Sequence, residues 1–114
     1  MTVSAFMEKL RNDPQEISFK DTMAVIEDHY LFEPVRFTNG RLVNEAGQNS
    51  GSCKLFFFAK LHNLNKAEAL SCFGDYYRQD VLENPHGEDH QNIRNFMRTG
   101  WEGISFEKNA LIKK

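Results

Sequence analysis

The sequence predicts a single α+β domain, with four or five helices packed around a small antiparallel sheet. Three observations carry that expectation. Apolar residues recur at helical spacing in several separate segments. The dipeptide Asn39-Gly40 interrupts the alternating stretch VRFTNGRLVN, a strong short-range hairpin signal. The chain has 114 residues, 40% of them hydrophobic and ten of them Phe, enough apolar mass for one core. Helices enclosing one small sheet define the class. No internal repeat, low-complexity tract or linker divides the chain, so residues 1–114 are expected to form one domain.

Val3, Phe6, Met7 and Leu10 fall at i, i+3, i+4 and i+7, which predicts a helix over 3–12. Thr2 is its N-cap and Asp13-Pro14 its stop. Ser18 with Asp21 three residues on has the form of a capping box, and Phe19, Met23, Ile26 and Tyr30 mark one face of a helix over 19–30. Asn39-Gly40 is expected as a two-residue turn between strands near 35–38 and 41–44, with Phe37 opposite Leu42 and Val35 opposite Asn44. A two-stranded hairpin is marginal alone, so WEGISFE, near 101–107, is expected to add a third strand. SCKLFFFAKLHNL is long enough to favour a buried helix over a strand, starting at a Ser52 cap. Asn65 and Glu68 form another capping box, opening a helix over 66–83 with Gly74 inside it. Asn84-Pro85-His86-Gly87 is a turn. Asp89 caps a helix over 90–99, with Ile93, Phe96 and Met97 inward and Gly100 at its end.

The formal net charge is -2 and the pI near 6.1, with no block of basic residues, which argues against nucleic-acid and anionic-membrane surfaces. The longest near-continuous apolar run is about five residues, against the ~20 that a membrane helix needs. MTVSAFMEKL lacks the n- and h-regions of a secretory signal, so the chain is expected to start in the cytosol. Cys53 and Cys72 are then read as unpaired, buried hydrophobes.

Several stretches carry candidate chemistry. GQNSGSCK invites comparison with the phosphate loop G-x-x-x-x-G-K-[ST], but the glycines are four apart, Lys54 is not next to Gly51, and no Ser or Thr follows it. A helix starting at Ser52 would still present free N–H groups to an anion, with Asn44, Gln48, Asn49 and Ser50 adding side-chain hydrogen bonds. Asn44, Gln48, Asn49, Ser52, Asp89 and His90 are therefore the candidate ligand-binding residues, for a small polar or anionic ligand. The amide loop is expected to pack against Asp89–Asn92, so that both line one pocket. His86 and His90 are four apart in PHGEDHQN, but Pro85 and Gly87 keep His86 off the helix, and the string is not H-E-x-x-H, so no metal is expected. Cys53 as nucleophile, with His90 as base and Asp89 or Asn92 to orient it, is the enzymatic alternative. Asp75, Tyr76, Tyr77 and Arg78 form a polar-aromatic cluster, and Arg94 and Arg98 stand one turn apart, able to build a polar pocket or a partner-binding face.

DTMAVIEDHYLFEPVRFTNG, NEAGQNSGSCKLFFFAKL, CFGDYYRQDVL and DHQNIRNFMRTGW together resemble the HopJ (HopPmaJ-like) type III effector family, over about residues 6–111. The resemblance implies a protein that a bacterium injects into a host cell. It covers Asn39, Gly40, Asn44–Gly51, Cys53, Phe73–Arg78 and Asp89–Met97, but supplies no catalytic roles and no cofactor. It implies a host or bacterial protein as partner. Type III cargo usually carries a disordered, Ser-rich leader, whereas here a helix is expected from Val3. The functional expectation is a small binding or interaction protein. The alternatives are a Cys/His hydrolase and a non-secreted cytosolic housekeeping protein.

Overall fold

The helix LFFFA forms the centre of the molecule. In the computed structural model, which describes Met1–Lys114, it lies in α3 (Ser50–Leu61). Leu55, Phe56, Phe58 and Ala59 are fully buried, and Cys53 and Phe57 nearly so. A helix apolar on all sides has to be enclosed by other elements. The Phe56 ring meets Phe37, Phe73, Phe96 and Trp101, at centroid distances of 4.8 to 6.3 Å. Phe58 meets Phe6 and Tyr30 edge-on.

The enclosing elements are α1 (Val3–Asn12), α2 (Phe19–His29), α4 (Lys66–Ser71) and α5 (Gln91–Thr99). Two small antiparallel sheets complete the shell. One pairs β2 (Phe37–Asn39) with β3 (Leu42–Asn44) and with β4 (Ile104–Phe106). The other pairs β1 (Tyr30–Phe32) with β5 (Leu111–Lys113). The α+β class, with helices around small antiparallel sheets, is as the sequence implies. So are the Thr2 cap and the capping boxes at Ser18–Asp21 and Asn65–Glu68. No helix is long and apolar enough to cross a membrane.

Four details differ from expectation. The Asn39-Gly40 turn does not form. The central residues of the hairpin turn are Gly40 and Arg41, so Asn39 pairs with Leu42 and Phe37 with Asn44. Only Gly40 takes positive φ (62°), as the first position of a II′ turn requires. Asn39 is drawn inward instead, fully buried, with its amide nitrogen 2.7 Å from the Asn92 carbonyl oxygen. The predicted helix over 66–83 breaks at Gly74, whose φ is +63°. A π-helical stretch, Tyr76–Val81, follows the break. A Cβ on Gly74 would lie 2.7 Å from the backbone nitrogen of Phe19, so α2 fixes the break. The helices starting near Ser52 and capped by Asp89 begin elsewhere. Asn49 and His90 are the residues before α3 and α5. The β1–β5 ribbon was not expected, because two three-residue strands carry too little period-2 pattern.

Arg78 anchors the π-helical stretch. Its guanidinium donates to the carbonyls of Pro14, Ile17 and Ser71. Those bonds join it to the turn between α1 and α2 and set the position of Tyr76, two residues earlier.

Two outcomes follow from these contacts. Gly74→Ala forces a left-handed φ on an L-residue and drives a methyl into the α2 backbone. It should cost about 2 kcal/mol or more, read as a lower urea midpoint at unchanged slope. Both cysteines are free and buried, and burial pushes the Cys53 thiol up to about 11 and the Cys72 thiol up to about 12. A raised thiol pKa leaves the neutral, unreactive form at pH 8. Neither should therefore react promptly with a disulfide reagent at that pH in the native protein, and both should react after denaturation.

Candidate functional site

Two helices open onto the same place. α3 and α5 are each preceded by a residue in the left-handed region, Asn49 (φ 49°) and His90 (φ 50°), and neither receives a side-chain cap. In α3 the first paired amide is that of Cys53, which donates to the Asn49 carbonyl. The amides of Ser50, Gly51 and Ser52 precede it. In α5 the first is that of Ile93, which donates to the His90 carbonyl, and the amides of Gln91 and Asn92 precede it. Asp89 does not cap α5. Its carboxylate accepts from Arg94 Nη2 at 2.7 Å, a contact that holds the carboxyl below its usual range.

An amide network binds the two helix starts together. Asn44 and Asn92 pair reciprocally: Asn44 Nδ2 donates to Asn92 Oδ1 at 3.1 Å, and Asn92 Nδ2 to Asn44 Oδ1 at 3.0 Å. Asn39 Nδ2 also donates to Asn92 Oδ1, and Asn49 Nδ2 to Asn44 Oδ1 at 2.7 Å. Asn39, Asn44 and Asn92 are all buried. Each buried amide left without partners would cost ~1–3 kcal/mol, so the set holds together as a unit. The Asn39 Oδ1 atom alone lacks a partner.

Beside this network is a cavity of about 360 Å³. Asn49 and the first-turn residues Gly51 and Ser52 line it at the start of α3, and His90 with Gln91 and Asn92 at the start of α5. Phe19, Phe73 and Tyr76 form an aromatic wall. Phe19 stacks on Phe73 with 6.1 Å between centroids, and Tyr76 stacks on the His90 ring at 5.2 Å. His90 Nε2 is 3.1 Å from Asp80 Oδ2, which fixes the ring against Tyr76. No Lys or Arg lines the cavity. Free N–H donors and an aromatic face suit a planar or compact group rich in acceptors and low in charge.

Of the residues singled out in the sequence, Asn49, Ser52, His90 and Asn92 line this cavity together. Ser52 does so from the first turn of α3 and not as its cap. Asn44 lies behind Asn92 and supports it. Gln48 turns back into its own loop, where Oε1 accepts from the Glu45 amide. Asp89 faces Arg94. Cys53 is 2% exposed, with Sγ 3.9 Å from the Val35 carbonyl oxygen. It does not line the cavity that His90 borders, and burial pushes its thiol up to about 11, which opposes a role as nucleophile. No group of three His, Cys, Asp or Glu side chains converges in metal-binding geometry. The aromatic wall is what sequence reasoning missed. Phe19 and Phe73 read as core residues by their spacing, and Phe73 is buried in the core with Phe19 packed against it, but spacing does not show that both also border a cavity; only the Tyr76 cluster hinted at a surface role.

A comparison with curated proteins finds no match. Among solved structures, the chain is similar to a crystal structure of the unknown-function protein VPA0580, at 54% identity and a TM-score of 0.98. The similarity covers 100% of this chain and 95% of that one. The family model for the HopJ type III effector protein matches residues 3–111. With nearly the whole chain inside that match, this protein belongs to the HopJ type III effector protein family.

Proposed function

We propose that this chain is a small binding protein of type III effector descent, working through the cavity between the first turns of α3 and α5. The observation that carries the reading is the convergence of Gly51, Ser52, Gln91 and Asn92 on one aromatic-walled space. Backbone amides at helix starts favour a partial or full negative charge. The absence of Lys and Arg from the lining favours a neutral acceptor or a single carboxylate over a phosphate, which usually draws a cation. A ring or flat apolar stem would lie along Phe19 and Tyr76. Such a group can come from a small molecule or from a side chain of a host or bacterial partner protein. The same descent makes the producing cell's cytoplasm the place of synthesis and a host cell the destination.

Two measurements test this. In an amide NMR titration with benzoate, the Gly51, Ser52, Gln91 and Asn92 resonances should shift together and saturate, and inorganic phosphate should shift them less. Asn49→Ala should weaken benzoate binding several-fold, because it removes the Asn49–Asn44 bond that steadies the α3 start. If Asn49→Ala lowers the melting temperature and no probe shifts those amides in the wild type, the amide loop is structural only. For the effector part, a tagged chain should leave the cell only when the type III apparatus is intact. Retention in both strains would make it a resident cytosolic protein.

A further inference from the structure

Arg94 and Arg98 stand one turn apart on α5, and the cavity just described uses neither. They line a separate space of about 210 Å³, between α5 and the end of the π-helical stretch with its following loop. The Arg94 side chain is only 7% exposed. Its Nε donates to the Asp89 carbonyl at 2.6 Å, Nη1 to the Asn84 carbonyl at 2.8 Å, and Nη2 to Asp89 Oδ1 at 2.7 Å. A guanidinium has more N–H groups than these three bonds use. Gly87 lets the loop close on it, since a Cβ there would sit 2.6 Å from Nη2. Arg98 is exposed, and its one side-chain bond is to Asn95 Oδ1 at 2.9 Å.

The opposite wall is aliphatic. Val81, Leu82 and Pro85 supply it, Met97 adds an apolar surface from α5 itself, and Leu82 is 47% exposed despite its size. No carboxylate lines this cavity. In a chain of net charge -2, a space bordered by two guanidinium groups and an apolar wall is a local exception: Asp89 pairs with Arg94, and Arg98 is left without a carboxylate partner. Its volume is below the ~300–1,000 Å³ of sites for drug-sized ligands, so its occupant is fragment-sized. A planar guanidinium fork matches a carboxylate better than it matches a neutral group.

We propose that this second cavity binds a carboxylate carried on a short aliphatic stem, with Arg98 holding the carboxylate and Leu82 and Met97 holding the stem. Arg94 shapes the cavity through its loop bonds, its own charge being met by the Asp89 carboxylate. A free short-chain acid and the C-terminal residue of an aliphatic-ended peptide present this same chemistry.

The test is a titration of the full chain, followed by calorimetry and amide NMR. Four probes are compared: hexanoate, hexanol, and a tripeptide ending in Leu with either a free or an amidated C-terminus. At least one free acid should bind and shift Leu82, Met97 and Arg98, with hexanol and the amidated peptide far weaker. Arg98→Gln should weaken that binding about tenfold at unchanged melting temperature. Leu82→Asp should abolish it. Tighter binding of the peptide acid points to a protein C-terminus as the source, and tighter binding of hexanoate to a free acid. The proposal is overturned if neither acid binds, if the uncharged probes bind as well as the acids, or if Arg98→Gln leaves the affinity unchanged. Shifts confined to Gly51 and Ser52 would also overturn it, and would count for the first cavity instead.

Discussion

Everything in this molecule is arranged around the burial of α3. Five of its twelve residues, Leu55 to Ala59, form an unbroken apolar run with no polar face to turn to water. Such a helix is stable only inside a shell, and the shell here is thin: four helices, two small sheets and a ring of aromatic contacts on Phe56 and Phe58. Truncating Phe56 would remove contacts with four rings at once, which places it near the top of the ~3–5 kcal/mol range for buried aromatics. A helix enclosed along its length meets solvent only at its ends. Its first-turn amides therefore emerge at a surface whose shape is set by neighbouring elements, and the neighbour there is the start of α5.

The asparagine network is the second consequence. The hairpin β2–β3 and the start of α5 both carry buried backbone and side-chain polar groups, which need partners within the protein. Asn39, Asn44 and Asn92 supply them to one another. The arrangement fixes the hairpin register as well. An Asn39 in the turn would have taken its side chain to solvent and left the Asn92 carboxamide oxygen with one donor fewer. Burial of one amide thus outweighs the local preference of an Asn-Gly pair for positive φ at both residues.

That competition also explains what the sequence made legible. Caps at Thr2, Ser18 and Asn65 are local, with donor and acceptor three residues apart, and they stand where the residue types predict. Helix faces such as Phe6, Met7 and Leu10 follow from periodicity alone. The break at Gly74 depends on the α2 backbone, 55 residues earlier, and no local pattern encodes it. The β1–β5 ribbon joins Tyr30–Phe32 to Leu111–Lys113, segments far apart in the chain, through three residue pairs. At the candidate site, the polar half was legible because Asn49, Ser52, His90 and Asn92 lie in runs too polar to be core. Phe19 and Phe73 were not, since an aromatic residue at helical spacing has the same sequence pattern whether it fills a core or walls a cavity. Cys53 is the unpaired, buried hydrophobe its residue type implied, and only the alternative reading of it as a nucleophile finds no support. Its place after a Gly-Ser pair suggested a reactive thiol, but it shares the buried side of α3.

The first turn of α5 connects the two cavities. Gln91 lines both, while Asn92 borders the first and Arg94 the second. Arg94 holds the 84–89 loop through the carbonyls of Asn84 and Asp89, and that loop leads directly into His90. His90 in turn stacks on Tyr76 and bonds Asp80, both on the π-helical stretch anchored by Arg78. Two arginines far apart in role thus serve one end: each uses main-chain carbonyls as acceptors to fix an irregular segment that no regular ladder could hold. The site is held by these guanidinium–carbonyl bonds and by the amide network, whose Asn39 and Asn44 sit on strands β2 and β3. A guanidinium suits the task because it offers donors in several directions from one planar group and stays charged at every physiological pH. Lysine could satisfy the charge at either position but not the geometry, so the irregular backbone that shapes both cavities depends on arginine in particular.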